Sequence, residues 1–78
     1  MLSDIIQSTM HISVEFEQED DGRWIAEIPA LPGALAYGPS KKEALDRVAS
    51  LALRILADRI EHGEEIPAPF DEMFAVPA

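Results

Sequence analysis

The chain has no cysteine. Disulfide staples, thiolate nucleophiles and Cys-containing zinc sites are therefore excluded. Basic residues are scarce: 6 Lys and Arg stand against 15 Asp and Glu, a formal charge of −9 over 78 residues. A surface of that sign repels phosphate backbones, so no direct contact with nucleic acid is expected. It would attract and steer a basic partner, or simply keep the chain soluble. Long apolar runs are missing too. None reaches the roughly 18 residues of a membrane span. The opening MLSDIIQSTM has neither a basic start nor a long apolar core, so it does not read as a signal peptide. A cytoplasmic location with no membrane contact is the expectation.

Glycine and the aromatics are few but concentrated. Asp21–Ser40, DGRWIAEIPALPGALAYGPS, holds the only Trp, the only Tyr, three of the four glycines and three of the six prolines. Such a stretch makes turns at defined places. Just before it, in HISVEFEQE, Ile12, Val14 and Phe16 alternate with Ser13, Glu15, Glu17 and Glu19. Period two with β-branched and aromatic residues predicts a strand with one wet face. Asp20-Asp21-Gly22 predicts a hairpin turn, with positive φ available at the glycine. RWIAEI predicts a second strand, with Trp24, Ala26 and Ile28 on one face and Arg23, Ile25 and Glu27 on the other. Pro29 ends or edges it because it cannot donate to the ladder. Pro32-Gly33 predicts a type II turn. ALAYG predicts a short third strand with Leu35 and Tyr37 on one side, stopped by Gly38 and Pro39.

SKKE then reads as a capping box, Ser40 accepting from the Glu43 N–H and Glu43 reaching back to the Ser40 N–H. From Lys41 to about His62 the residues Leu45, Val48, Ala49, Ala52, Ile55, Leu56 and Ile60 recur at helical spacing. Glu43 with Arg47, and Asp58 with His62, are i,i+4 pairs. Gly63 is the expected stop. The apolar arc is wide, with Ala44 and Leu51 extending it on one side and Leu53 on the other. Leu51 and Leu53 are therefore candidates for a homo-oligomer interface, a dimer or higher, unless the C-terminal tail covers them. EMFAV near the C-terminus predicts a short last strand. Residues 1–10 read as an N-terminal arm, and 11–78 as a single domain. The fold class is α+β, in the order β-β-β-α-β, with a small antiparallel sheet and one long helix on one face.

Residue patterns for catalysis are absent. EQEDDG spaces acids as a calcium loop would, but Ile28 falls where the closing Glu belongs. His11 and His62 lack the spacing of a metal pair. There is no Ser-x-x-Lys, no Gly-x-Ser-x-Gly and no Gly-rich phosphate loop. No metal site, cofactor or enzymatic activity is expected. Trp24 shares a strand face with Ala26 and Ile28, which points to core packing, although an aromatic on a sheet can also stack a ligand. The hydroxyl of Tyr37 needs a polar partner or water, which makes that residue a candidate contact.

The acidic strand, then DGRWIAEIPALPGALAYG, then SKKEAL opening a helix that ends in EHGEEIP, resembles the HicB antitoxins of bacterial HicA–HicB toxin–antitoxin systems. The likeness runs from about Ile12 to Pro67. It rests on Asp21-Gly22, Pro29, Pro32-Gly33, Gly38 and Glu43-Ala44-Leu45. It implies a partial ribonuclease-H-like domain that binds and blocks a small basic RNA-cleaving toxin. Glu15, Glu17, Glu19, Asp20, Asp21 and Tyr37 are the candidate toxin-binding residues. Ala34 and Ala36 stand where many relatives carry Cys and a hydroxylated residue, which makes that strand more apolar here. The short run after Gly63 fits no DNA-binding module of the kind many relatives carry. The alternative expectation is an orphan relative, an oligomeric adaptor or ligand-binding module without a toxin.

Overall fold

The structure is a computed structural model that describes residues 11–74. Three strands, β1 (Glu15–Gln18), β2 (Trp24–Glu27) and β3 (Leu35–Gly38), precede one helix, α1 (Lys41–Glu61). The sheet is antiparallel in the order β1-β2-β3. This is the expected α+β arrangement of a small sheet with one long helix. The N-terminal arm lies outside the described residues.

Each strand is set by its turns. The β1–β2 hairpin closes through Gly22 N–H to the Glu19 carbonyl at 2.9 Å and Glu19 N–H to the Arg23 carbonyl at 2.7 Å. Asp20, Asp21 and Gly22 form the loop, and among them only Gly22 has positive φ, +93°. That is a three-residue connection whose last residue takes the left-handed conformation. The β2–β3 connection has two successive turns, Leu31 N–H to the Ile28 carbonyl and Ala34 N–H to the Leu31 carbonyl, both at 3.0 Å. The second is centred on Pro32-Gly33, with Gly33 at φ +93°, as a type II turn requires.

β1 is shorter than the alternation predicts. Ile12 and Val14 still alternate in burial with their neighbours, but the ladder begins only at Glu15. Extending the register of Glu15 with Glu27 would pair residues 11–14 with the chain from Ile28 onward. That chain carries Pro29, which has no N–H, and turns away at Leu31.

α1 begins as predicted, with Ser40 Oγ accepting from Glu43 N–H at 3.1 Å. The reciprocal contact differs: the Glu43 carboxylate accepts from the Ser40 hydroxyl at 3.3 Å, not from its backbone N–H. Glu43 is thus held at the cap, and its expected partner Arg47 instead donates to the Tyr37 carbonyl at 3.0 Å. At the other end Gly63 N–H reaches the Ile60 carbonyl and Glu64 N–H the Arg59 carbonyl. This paired closure satisfies the last carbonyls of the helix. His62 Nδ1 lies 3.3 Å from the Asp58 carboxylate, an ion pair when the ring is protonated.

The helix packs chiefly over β3 and β2. The core joins Ala26, Ile28, Leu31 and Ala34 to Ala44, Val48, Ala52 and Leu56. Its small residues let helix and sheet approach closely. The limit is reached at Gly38, where an added Cβ would lie 2.5 Å from the Ala44 nitrogen. Trp24 packs partly buried against this core, as its strand face predicts. The tail departs from the predicted last strand. Phe70–Met73 form a 3-10 turn that places Phe70, 3% exposed, in the core. Glu72 and Met73 of EMFAV are thus helical, and Ala75 and Val76 lie outside the described residues.

Candidate partner-binding face

A sheet with one helix has a second face, and among the described residues nothing covers it. The register aligns Glu17, Ile25 and Tyr37 in one row across the strands and Glu15, Glu27 and Leu35 in the next. These side chains point away from α1, because Phe16, Trp24, Ala26 and Ala36, one residue out of phase, pack toward it. Leu35 is 43% exposed and Tyr37 41%. An exposed apolar centre with an acidic border results.

A hollow of about 330 Å³ lies on this face, bounded by Glu15, Phe16, Glu17, Ile25 and Glu27. Glu15 and Glu27 are direct cross-strand partners. Like charges placed directly opposite destabilise a sheet. Among the described residues neither is in an ion pair.

The other candidates are placed differently. Glu19 is half-buried in the hairpin turn, bonded through its backbone, and Asp20 is exposed at the tip. Asp21 is engaged within the chain. Its carboxylate accepts from the Arg23 N–H at 3.0 Å and from Arg23 Nε at 2.8 Å. The backbone N–H of Arg23 is the chief reason its carboxyl titrates below the usual value, and the guanidinium adds to the effect. The same guanidinium lies over the Tyr37 ring, 4.9 Å from its centre. Asp21, Arg23 and Tyr37 thus form a chain of contacts that fixes the ring on the sheet.

The structure therefore brings Glu15, Glu17 and Tyr37 onto one face, keeps Asp20 at its margin, and uses Asp21 internally. It adds Glu27, Ile25, Leu35 and Arg23. Reading Asp20–Gly22 as a three-residue loop would have found Glu27, since pairing Glu19 with Arg23 forces Glu15 opposite Glu27.

The two candidate interface leucines are separated. Leu53 is 59% exposed on the flank of α1 beside the C-terminal tail, whereas Leu51 is half-buried on the opposite flank. No helix among the described residues is long and apolar enough to cross a membrane.

No protein-family model matches the chain, and no solved structure matches it. Among curated proteins it is similar to the UPF0150 protein Ta0767 of Thermoplasma acidophilum. The two are 32% identical over 69 residues, which cover 88% of this chain and 100% of that relative. With identity at that level over nearly all of both chains, this acidic three-strand, one-helix protein belongs to the UPF0150 family.

Proposed function

We propose that the chain is a cytoplasmic antitoxin of the HicB type. It binds a small basic RNA-cleaving toxin of the HicA kind through the outer sheet face and blocks it by occlusion. The observation that carries the reading is the opposed Glu15 and Glu27 pair, with Glu17, around the half-buried Ile25 and the exposed Leu35 and Tyr37. Carboxylates held close without cations cost stability in the free chain. Lysines or arginines of a partner would relieve that repulsion, and the apolar centre would be buried as they dock. Complementary charge also speeds the encounter. The sequence likeness to HicB antitoxins supports the same partner class. The chain contributes no chemistry in this reading. It covers the surface with which the toxin would hold RNA.

Calorimetry with any small basic protein encoded next to this chain tests the proposal. Glu17→Lys with Glu27→Lys should weaken binding by about 1–3 kcal/mol, with the circular dichroism spectrum unchanged. Asp21→Asn should weaken it much less, because that carboxylate is already held by Arg23. Equal affinity for the parent and the charge-reversed double variant would remove the outer face from the interface. A second reading, an oligomeric adaptor without a toxin, is favoured by the exposed apolar flank of α1.

A further inference from the structure

Because α1 packs chiefly over β3 and β2, a gap remains between its flank and the chain that leads into β1. An apolar hollow of about 230 Å³ occupies this gap, with Ile12 and Val14 on the strand side, Ala49 and Leu53 on the helix side, and Met73 from the tail. Every side chain that lines it is apolar. A cavity of about 150 Å³ with such a lining admits benzene, so this one has room for more than one aliphatic side chain. Leu53 is 59% exposed and Met73 39%. The described residues therefore leave the hollow open.

The described chain starts at His11, directly before the lining residue Ile12. The ten residues ahead of it are MLSDIIQSTM, in which Leu2, Ile5, Ile6 and Met10 recur at helical spacing. At 100° per residue these four fall within an arc of about 140°. Asp4 is the only charged side chain of the segment, so residues 5–10 can be covered without stripping water from a charged side chain. From His11 back to Ile6 the chain can span up to about 17 Å. That is enough to return across a hollow that Ile12 and Leu53 both line. Closing so short a loop costs little, and the tether holds the segment at a high effective concentration that a separate molecule lacks.

We propose that residues 1–10 fold back over this hollow and bury Ile5 and Ile6 against Val14 and Leu53 of the same chain. The arm completes the core on the side that α1 leaves open. This goes beyond the antitoxin reading and does not rest on it. The hollow lies on the helix side of the sheet, whereas Glu15, Glu17 and Glu27 point to the other side. Arm docking and toxin binding can thus fail separately.

Methyl NMR on the parent chain tests this directly. With isotope-labelled Ile, Leu and Val methyl groups, Ile5 and Ile6 should show nuclear Overhauser contacts to Leu53 and Val14. Those contacts should survive dilution and vanish in an isotope-filtered spectrum of mixed labelled and unlabelled chains, which sees only contacts between copies. The lack of cysteine permits a second measurement. Under mild oxidation, Ile6→Cys with Leu53→Cys should close a bond within one chain, at the 8.6 kDa monomer mass. Ile6→Cys with Leu51→Cys, on the opposite flank of α1, should not. Ile5→Asp with Ile6→Asp should lower the urea midpoint, while Ser8→Asp, which falls outside the apolar arc, should leave it in place. Contacts seen only between copies would give the hollow to a second chain and overturn the proposal. Contacts to Leu53 from Val76 in place of Ile5 and Ile6 would give it to the C-terminal tail, with the same consequence. Equal midpoints for the two Asp variants would also overturn it.

Discussion

Glu15 and Glu27 face each other across β1 and β2, and among the described residues neither has an ion-pair partner. Replacing one by Gln removes the repulsion and keeps the shape. Glu27→Gln should raise stability in urea by about 0.2–1 kcal/mol, while weakening any basic partner. A fall in stability would mean that the two carboxylates are not held close in solution. Asp21 shows the opposite use of an acid. Hydrogen bonds from Arg23 lower its folded pKa below the unfolded 3.8. A depressed carboxyl pKa contributes stability that is fully present above the unfolded value. That contribution is lost as pH falls below about 3.8 through the lower folded value. An NMR titration should find this carboxyl below 3.8. Arg23→Ala should move it only part of the way back, because the backbone N–H, the larger cause, survives the substitution.

At the scale of elements, the molecule depends on how closely β3 passes the start of α1. Gly38 ends β3, and only Pro39 and the cap residue Ser40 separate it from the helix. A Cβ there would meet the backbone of Glu43 and Ala44, at 2.9 Å and 2.5 Å. Backbone cannot swing aside as a long side chain can. Gly38→Ala should therefore cost about 1–3 kcal/mol, the range of an overpacked core, when read from urea denaturation. A neutral result would show that the β3–α1 connection yields easily. The strain would fall on the capped first turn of α1, so amide exchange should rise there first.

The whole molecule carries a charge of −9. Among the described residues the ion pairs of Lys42 with Asp46 and Arg23 with Asp21 are local and exposed. Surface pairs of that kind contribute little, so they leave most of the repulsion uncompensated. Raising sodium chloride from about 10 mM to 150 mM shortens the screening length from roughly 30 Å to 8 Å. The melting temperature should rise over that range, at fixed protein concentration. Under the proposed function, binding of a basic toxin should weaken over the same range, since the field that repels self attracts a basic partner. A melting temperature that falls with salt would mean that favourable ion pairs outweigh the net charge.

Three strands, a capped helix and their order were legible from local chemistry alone: alternation in HISVEFEQE and RWIAEI, turn residues at Gly22 and Pro32-Gly33, and Ser40 and Gly63 at the ends of the helix. These signals are strong because backbone stereochemistry and side-chain period act within a few residues. What depended on distant parts of the chain was not legible. β1 lost its first residues because Pro29 and the turn at Leu31 removed their partner, and Glu43 left Arg47 because the cap held it. EMFAV reads as a strand by composition, but Phe70 enters the core and draws the chain after it into a 3-10 turn. Glu15, Glu17 and Tyr37 could be named from the sequence as candidates. That Glu27 joins them, that Asp21 is spent on Arg23, and that Leu51 and Leu53 lie on opposite flanks of α1 were decided by tertiary structure. Strand register and the helix's position over β3 and β2 determine which residues share a face, and both are set by the packing of the whole core.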